Sequence, residues 1–263
     1  MQRNVCGTSH KQNKMTTNVL DCVNGVLSTD SRWSSDNGDW LAYVDDTQYD
    51  KIAFTGRAGF LFAGDMPPID EWKQYVAGGM KKNARPVRRA WVPGSRISII
   101  QVELATGRIV FKSHNFPTTS FGASVRALFA GTGALHAKTC WDEKKCAKTA
   151  IKSAAEEDMR SGGSVIYLDR KTRENNAANT ATAESVREQL KDRGFIMNVA
   201  DKNTKVSLKD AANDVSNPAA QAFAKAVMSG AAPLNAPFPG MDEPWAEEKY
   251  AELDVALSEF EED

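Results

Sequence analysis

Apolar and polar positions change period several times along these 263 residues, and each change marks an element. Residues 1–15 are polar and without period, which predicts a leader outside the folded core. Thr17 to Val23 and Val26 to Arg32 are two β-prone runs, and Asn24-Gly25 between them is a strong hairpin signal. A polar loop bearing Trp and Asp is expected from Ser34 to Tyr49. A second hairpin runs from Lys51 to Gly56 and from Gly59 to Gly64. Asp65 and Pro67-Pro68 then open a short helix with Ile69, Trp72 and Val76 on one face, ended by Gly78-Gly79. Arg96 to Leu104, Thr106-Gly107 and Arg108 to Lys112 read as a third hairpin, and Ser124 to Phe129 as a strand closed by Gly131-Thr132-Gly133.

Asp142 is placed to cap a helix reaching about Arg160, with Ala147, Ile151, Ala154 and Ala155 as its buried stripe. Asp158 stands in the last turn of that helix, where the helix dipole disfavours negative charge by about 0.3–1 kcal/mol. Gly162-Gly163 stop the helix and Ser164 to Leu168 returns as a strand. After Asp169 the character shifts. Lys171 to Thr182 reads as a linker, Ala183–Arg193 and Pro218–Ser229 as helices, and Ala232 to Pro244 as a Pro/Gly-rich stretch. The last helix carries a seam of Ala246, Tyr250, Leu253, Leu257 and Phe260, expected to dock on the chain's own core or else to engage a partner. Hairpins, then helices, then more hairpins argue an α+β layered fold rather than alternating βαβ units.

Composition and charge narrow the function classes. Net charge is −1, yet ten acidic residues face one lysine from Asp242 to Asp263, so the rest of the chain is basic. Lys81, Lys82, Arg85, Arg88 and Arg89 form a basic cluster: either a solvated loop or a docking surface for an acidic partner, the acidic tail included. No nucleic-acid motif accompanies the charges, and no nucleic-acid partner is expected. The apolar stretches are too short for a membrane span, and residues 1–15 lack the apolar stretch of a secretory signal. The expectation is therefore a cytoplasmic protein without a membrane partner. Cys6, Cys22, Cys140 and Cys146 fit neither a disulfide framework nor a zinc knuckle, so reduced thiols, no metal and no cofactor are expected.

Candidate chemistry lies in an ordered set: Thr16, Asp30, Lys51, Gly64 and Asp158-Met159-Arg160-Ser161-Gly162-Gly163. A threonine hydroxyl is a poor nucleophile at neutral pH and needs a base or a positive field. An α-amino group titrates near ~7.7–8.0, where a general base works well. If Thr16 led the mature chain, its own amine would accept the hydroxyl proton. Each position alone has an ordinary structural reading: a surface ion pair for Asp30 and Lys51, a solvated helix end for Asp158, a turn glycine for Gly64.

Taken in order, these residues resemble a proteasome β-type subunit, or a bacterial proteasome-like threonine peptidase, within the N-terminal nucleophile hydrolases. The matching text is Thr16-Thr17, Gly25-Val26-Leu27-Ser28-Thr29-Asp30-Ser31-Arg32, Lys51-Ile52, Phe62-Ala63-Gly64-Asp65, Gly131-Thr132-Gly133 and Asp158 through Ser161-Gly162-Gly163-Ser164-Val165. The resemblance covers about residues 16–169. It implies an αββα sandwich of antiparallel sheets over 16–170, after a leader or propeptide at 1–15. A mostly helical C-terminal extension with an acidic last helix would occupy 171–263.

The resemblance also implies roles. Thr16 would be the nucleophile, Lys51 the neighbouring cation and Asp30 the partner that orients it. The Gly64 N–H would meet the developing oxyanion. Asp158 and Ser161 would hold the Thr16 amine and a water, with Thr132 standing where the family has serine. Trp33, Tyr49, Ala53 and Phe62 would line an apolar, shallow pocket for the residue before the cut. The implied partners are a polypeptide substrate and further copies in a homo-oligomer, with room for an unfoldase ATPase.

Two departures from the family pattern stand out. Only one clear helix separates Asp65 from Arg96, and the stretch from Gly133 to Asp142 is compressed, so shortened helices and a differently arranged oligomer are expected. Met15 replaces the glycine that precedes a self-processed threonine. Initiation at Met15 and removal of that methionine would expose Thr16. Two other functions stay open: a catalytically inactive proteasome-like scaffold, and an amidase of the same superfamily acting on small amides.

Overall fold

The structure is a computed structural model that describes residues 16–86, 96–201, 203–236 and 245–261. Along the chain the first hairpin is β1 (Thr17–Asp21) and β2 (Val26–Asp30), and the next is β3 (Trp33–Asp36) and β4 (Trp40–Val44). Then come β5 (Ile52–Phe54), β6 (Ala58–Asp65), α1 (Met66–Ala77), β7 (Ile97–Glu103), β8 (Ile109–Lys112), β9 (Thr118–Phe121) and β10 (Ser124–Gly131). The helices α2 (Ala134–Lys144) and α3 (Ala147–Glu157) lead into β11 (Val165–Asp169). The last part holds α4 (Ala183–Arg193), β12 (Phe195–Asn198), β13 (Val206–Ser207), α5 (Leu208–Asn213), α6 (Pro218–Ser229), β14 (Asn235–Ala236) and α7 (Glu247–Ser258).

Two antiparallel sheets result, as an α+β fold requires. One has five strands in the order β11-β2-β1-β10-β9. The other runs β13-β12-β4-β3-β14-β6-β7-β8, with β5 also on β6. Side chains alternate across each strand, so every sheet has two buried faces to fill. Leu20, Leu27 and Leu128 of the first sheet meet Ile52, Leu61, Ile100 and Val102 of the second in a core between the sheets. On the far side of the first sheet, Val19 and Phe129 pack against Trp141 of α2 and Ile151 of α3. On the far side of the second, Phe60 and Phe62 pack under α1 (Ile69, Trp72), α4 (Leu190), α6 (Phe223) and α7 (Leu257). Helices therefore cover both outer faces, giving four layers.

Several expectations need correction. Ser34 to Tyr49 is not a loop, because β3 and β4 form a hairpin turning at Asn37-Gly38, where Gly38 takes φ 97°. Its polar residues Ser34 and Ser35 are buried, which hides the strand pattern. Asp142 does not cap a helix to Arg160. It lies inside α2 and pairs with Lys138, and the break falls at Lys145, whose φ of 52° ends α2 in the left-handed region. The stretch after Gly133 is thus a full helix, with Ala134, Ala137 and Trp141 buried. Two helices, α2 and α3, cover that sheet where one was expected, and α2 fills the stretch expected to be compressed.

Lys171 to Thr182 is no free linker: Ala178 N–H donates to Asp50 Oδ2 at 2.9 Å and Asn179 Nδ2 to the Ile52 carbonyl at 3.0 Å. Residues 171–263 do not stand apart as an extension either, since β12 pairs with β4 and β14 sits between β3 and β6. The seam of the last helix docks on the core through Leu253, Leu257 and Phe260, while Tyr250 is half-buried and Ala246 exposed. Arg85 binds Glu261 and Asp254 at 2.6–2.7 Å, so one member of the basic cluster does receive the acidic tail. Lys81 and Lys82 are exposed, and Arg88, Arg89 and the leader 1–15 lie outside the described residues. Among the described residues no helix is long and apolar enough to cross a membrane.

Candidate active site

Antiparallel pairing gathers the polar cluster at one end of the sandwich. There β1 begins and β2 ends, β10 ends opposite Thr17 at Gly131, and β11 begins opposite Asp30 at Val165. The second sheet brings Lys51, just before β5, and Gly64, near the end of β6, to the same end.

One carboxylate organises the cluster. Asp30 Oδ1 accepts the Thr16 hydroxyl at 2.6 Å, the Lys51 ammonium at 2.7 Å and the Thr17 N–H at 3.2 Å. Its Oδ2 accepts the Gly162 N–H at 3.0 Å. Thr16 and Lys51 are wholly buried and Asp30 is 1% exposed. Lys51 also donates to the Arg32 carbonyl at 2.7 Å, and its Nζ lies 5.7 Å from the Trp33 ring centre. Burial pushes the Lys51 pKa below its ordinary value, and the Asp30 charge opposes that shift.

A second polar string backs the first. Thr17 Oγ1 and Ser161 Oγ are 2.7 Å apart, Ser161 Oγ donates to Asp158 Oδ2 at 2.9 Å, and the Thr132 hydroxyl reaches the same oxygen at 3.4 Å. Burial raises the Asp158 pKa, and the N–H of Arg160 and the hydroxyl of Ser161 pull it back. The two glycines around Thr132 are explained by close approach. A Cβ on Gly131 would sit 1.7 Å from the Thr16 carbonyl oxygen, and one on Gly133 2.0 Å from Thr17 Oγ1. Neither position has room for a side chain while β1 stays in place.

The expected catalytic positions thus converge, with a different division of labour. Ser161 is bonded to the hydroxyl of Thr17, and Asp158 reaches that hydroxyl only through Ser161. Thr17, Arg32 and the Gly162 N–H take part although their residue types alone mark nothing; the Thr16-Thr17 doublet and the Ser-Gly-Gly run were the available signals. Arg32 is locked by Asp45 at 2.8 Å and by its stack on Tyr43 at 3.8 Å, which fixes the carbonyl that receives Lys51. Gly64 takes φ 131°, and a Cβ there would strike the Arg96 carbonyl at 2.4 Å. Along β6 the N–H groups alternate: Phe62 donates to Lys51 on one side and Asp65 to Arg96 on the other, so the Gly64 N–H faces the β5 and β14 side.

The four expected pocket residues share one core cluster but do not form one open apolar pocket. Trp33 and Phe62 are wholly buried. Trp33 Nε1 donates to the Tyr49 carbonyl at 2.7 Å, and the Phe62 carbonyl accepts Asn18 Nδ2 at 3.0 Å. Tyr49 and Ala53 do line a cavity of about 440 Å³, whose other walls include Asp70 and Lys73 of α1 and residues 177–179. Lys73 donates to the Asp50 carbonyl at 2.7 Å and stacks 3.3 Å over the Tyr49 ring. Burial pushes its pKa down to about 7. The cavity is accordingly mixed in character where an apolar, shallow pocket was expected. Among the described residues no group of His, Cys, Asp and Glu is arranged to hold a metal.

No family model matches the chain, and no curated protein does. Among solved structures the chain is similar to eukaryotic HslV from Trypanosoma brucei, at 16% identity over 52% of this chain and 96% of that one, with a TM-score of 0.26. So slight a likeness carries no weight for activity. Fold and site together define an α+β protein of two facing antiparallel sheets with a buried threonine, carboxylate and lysine at one end.

Proposed function

We propose that the chain is a threonine-type peptidase whose nucleophile is Thr16 when that residue leads the chain. The observation that supports it is the single Asp30 oxygen shared by the Thr16 hydroxyl and the Lys51 ammonium, all three groups buried. A buried cation one oxygen away favours the deprotonated hydroxyl, and the freed α-amine of Thr16 takes the proton. Thr16 Oγ1 then attacks the peptide carbonyl. The amine returns the proton to the leaving nitrogen as the C–N bond breaks, and water hydrolyses the acyl ester on Thr16. The Gly64 N–H serves as oxyanion donor on this reading, and Ser161 with Asp158 holds Thr17, and through it residue 16, in register. Several copies assembling together belongs to the same reading, with sedimentation giving the size.

The test is hydrolysis of fluorogenic peptides by the chain beginning at Thr16, its terminus checked by intact mass. Thr16→Ala should lower the rate by about 10³-fold or more and Lys51→Ala by a similar factor, with circular dichroism unchanged for Thr16→Ala. A Thr16→Ala protein as fast as its parent would end the proposal.

A further inference from the structure

β14 is two residues long, yet it occupies a central place in the nine-stranded sheet. Asn235 is paired with Ser34 of β3 on one side and with Asp65 of β6 on the other, and Ala236 stands opposite Gly64. β3 and β6 pair with other strands on their far edges, with β4 and β7, and not with each other. The gap between them is therefore one strand wide, about 9–10 Å between β3 and β6. Both walls belong to the Thr16 end of the molecule. β3 starts right after Arg32, whose carbonyl receives Lys51, and β6 ends at Gly64 and Asp65. Met66 N–H donates to the Leu234 carbonyl at 3.1 Å, so Leu234 and Ala236 direct their backbone groups at β6 and Asn235 its own at β3. In this arrangement Ala236 covers the side to which Gly64 presents its N–H.

We propose that Leu234–Ala236 is a displaceable strand that fills, in the resting chain, the slot between β3 and β6 where an extended polypeptide binds. The inference rests on the peptidase reading above for what happens after binding, but the slot itself follows from the sheet. A peptide that replaces β14 pairs with both exposed edges by main-chain hydrogen bonds, the mode of strand addition. Its carbonyl then reaches the Gly64 N–H, which β14 otherwise covers. The occupant is poorly fitted for permanence. It spans two residues where its neighbours span four and eight, and the buried amide oxygen of Asn235 has no hydrogen-bond partner. Leu234, 3% exposed, is its anchor in the core.

Two variants test this in a Thr16→Ala background, so that binding is read without hydrolysis. The probe is a short fluorescein-labelled extended peptide followed by fluorescence polarisation. Asn235→Pro removes the N–H aimed at Ser34 and should tighten binding about tenfold. Ser34→Cys with Asn235→Cys joins two directly opposed positions, within disulfide reach; oxidation should abolish binding and reductant restore it. The parent, given the same oxidation, should bind unchanged. Equal binding by the oxidised and reduced lock overturns the proposal, and decides it even if Asn235→Pro does not fold. Binding that follows the lock while Thr16-led protein cleaves nothing upholds the slot and sinks the peptidase reading alone.

Discussion

Two lysines are buried among the described residues, and their surroundings differ in one respect. Lys51 meets a carboxylate oxygen at 2.7 Å, with a carbonyl as second acceptor. Lys73 meets only a carbonyl, that of Asp50, and the face of Tyr49. In both, burial lowers the pKa; for Lys73 the attraction of Asp50 and Asp70 leaves it at about 7. Burial alone therefore does not make a cationic site. A carboxylate in direct contact opposes the loss of the proton that burial favours, whereas a carbonyl and a ring leave a lysine free to lose its proton near neutrality.

The strongest way to break that distinction is to remove the compensated cation. Lys51→Met leaves the Asp30 carboxylate without its counter-charge and should cost about 3–5 kcal/mol in urea denaturation. Adding Asp30→Asn should recover part of that loss. A Lys51→Met cost no larger than that of Lys73→Met at pH 7 would show that direct pairing means little here.

A smaller effect sharpens the other half. Native Lys73 releases its proton near 7, while the unfolded chain holds it to about 10.5. Between those values the unfolded state binds more protons, so stability rises with pH. From pH 7 to 9 the gain from this group should be about 2 kcal/mol. Lys51 contributes with the same sign in both proteins, so the difference between wild type and Lys73→Met isolates Lys73. Parallel stability curves for the two would contradict a proton lost near neutrality.

The smallest effect belongs to a partly exposed cation. Arg85 holds Glu261 and Asp254 of the acidic tail with its side chain 24% exposed. Solvent screening limits its worth, and Arg85→Ala should cost about 1 kcal/mol or less, shrinking in high salt. Thermal melts at two salt concentrations check this. A salt-independent loss would place Arg85 with the buried pairs.

Much of the architecture can be read from local pattern. Asn24-Gly25, the alternation from Arg96 to Lys112 and the prolines in the first turn of α1 each locate an element, and the ordered polar residues do converge. The same dipeptide, Asn37-Gly38, marks the β3–β4 hairpin, but serines and aspartates around it obscure the alternation. Two-residue β14 carries no readable period at all. The pattern predicts one helix where two stand, because α2 and α3 are separated only by Lys145 and Cys146. At the site, the sequence identifies Thr16, Asp30, Lys51, Asp158 and Ser161 as a group. It does not reveal that Ser161 turns to the Thr17 hydroxyl.

Turn chemistry and side-chain alternation act between neighbours in the chain, so the sequence by itself determined the hairpins β1–β2, β5–β6 and β7–β8, the α+β class and the residue types available for chemistry. Which donor shares which oxygen of Asp30, how a cavity forms around Lys73, and why residues 195–236 enter a sheet begun at Trp33 were decided only by tertiary structure. Those outcomes depend on strands and helices distant in sequence packing at van der Waals contact, where a shift of about 1 Å changes the partner of a hydrogen bond.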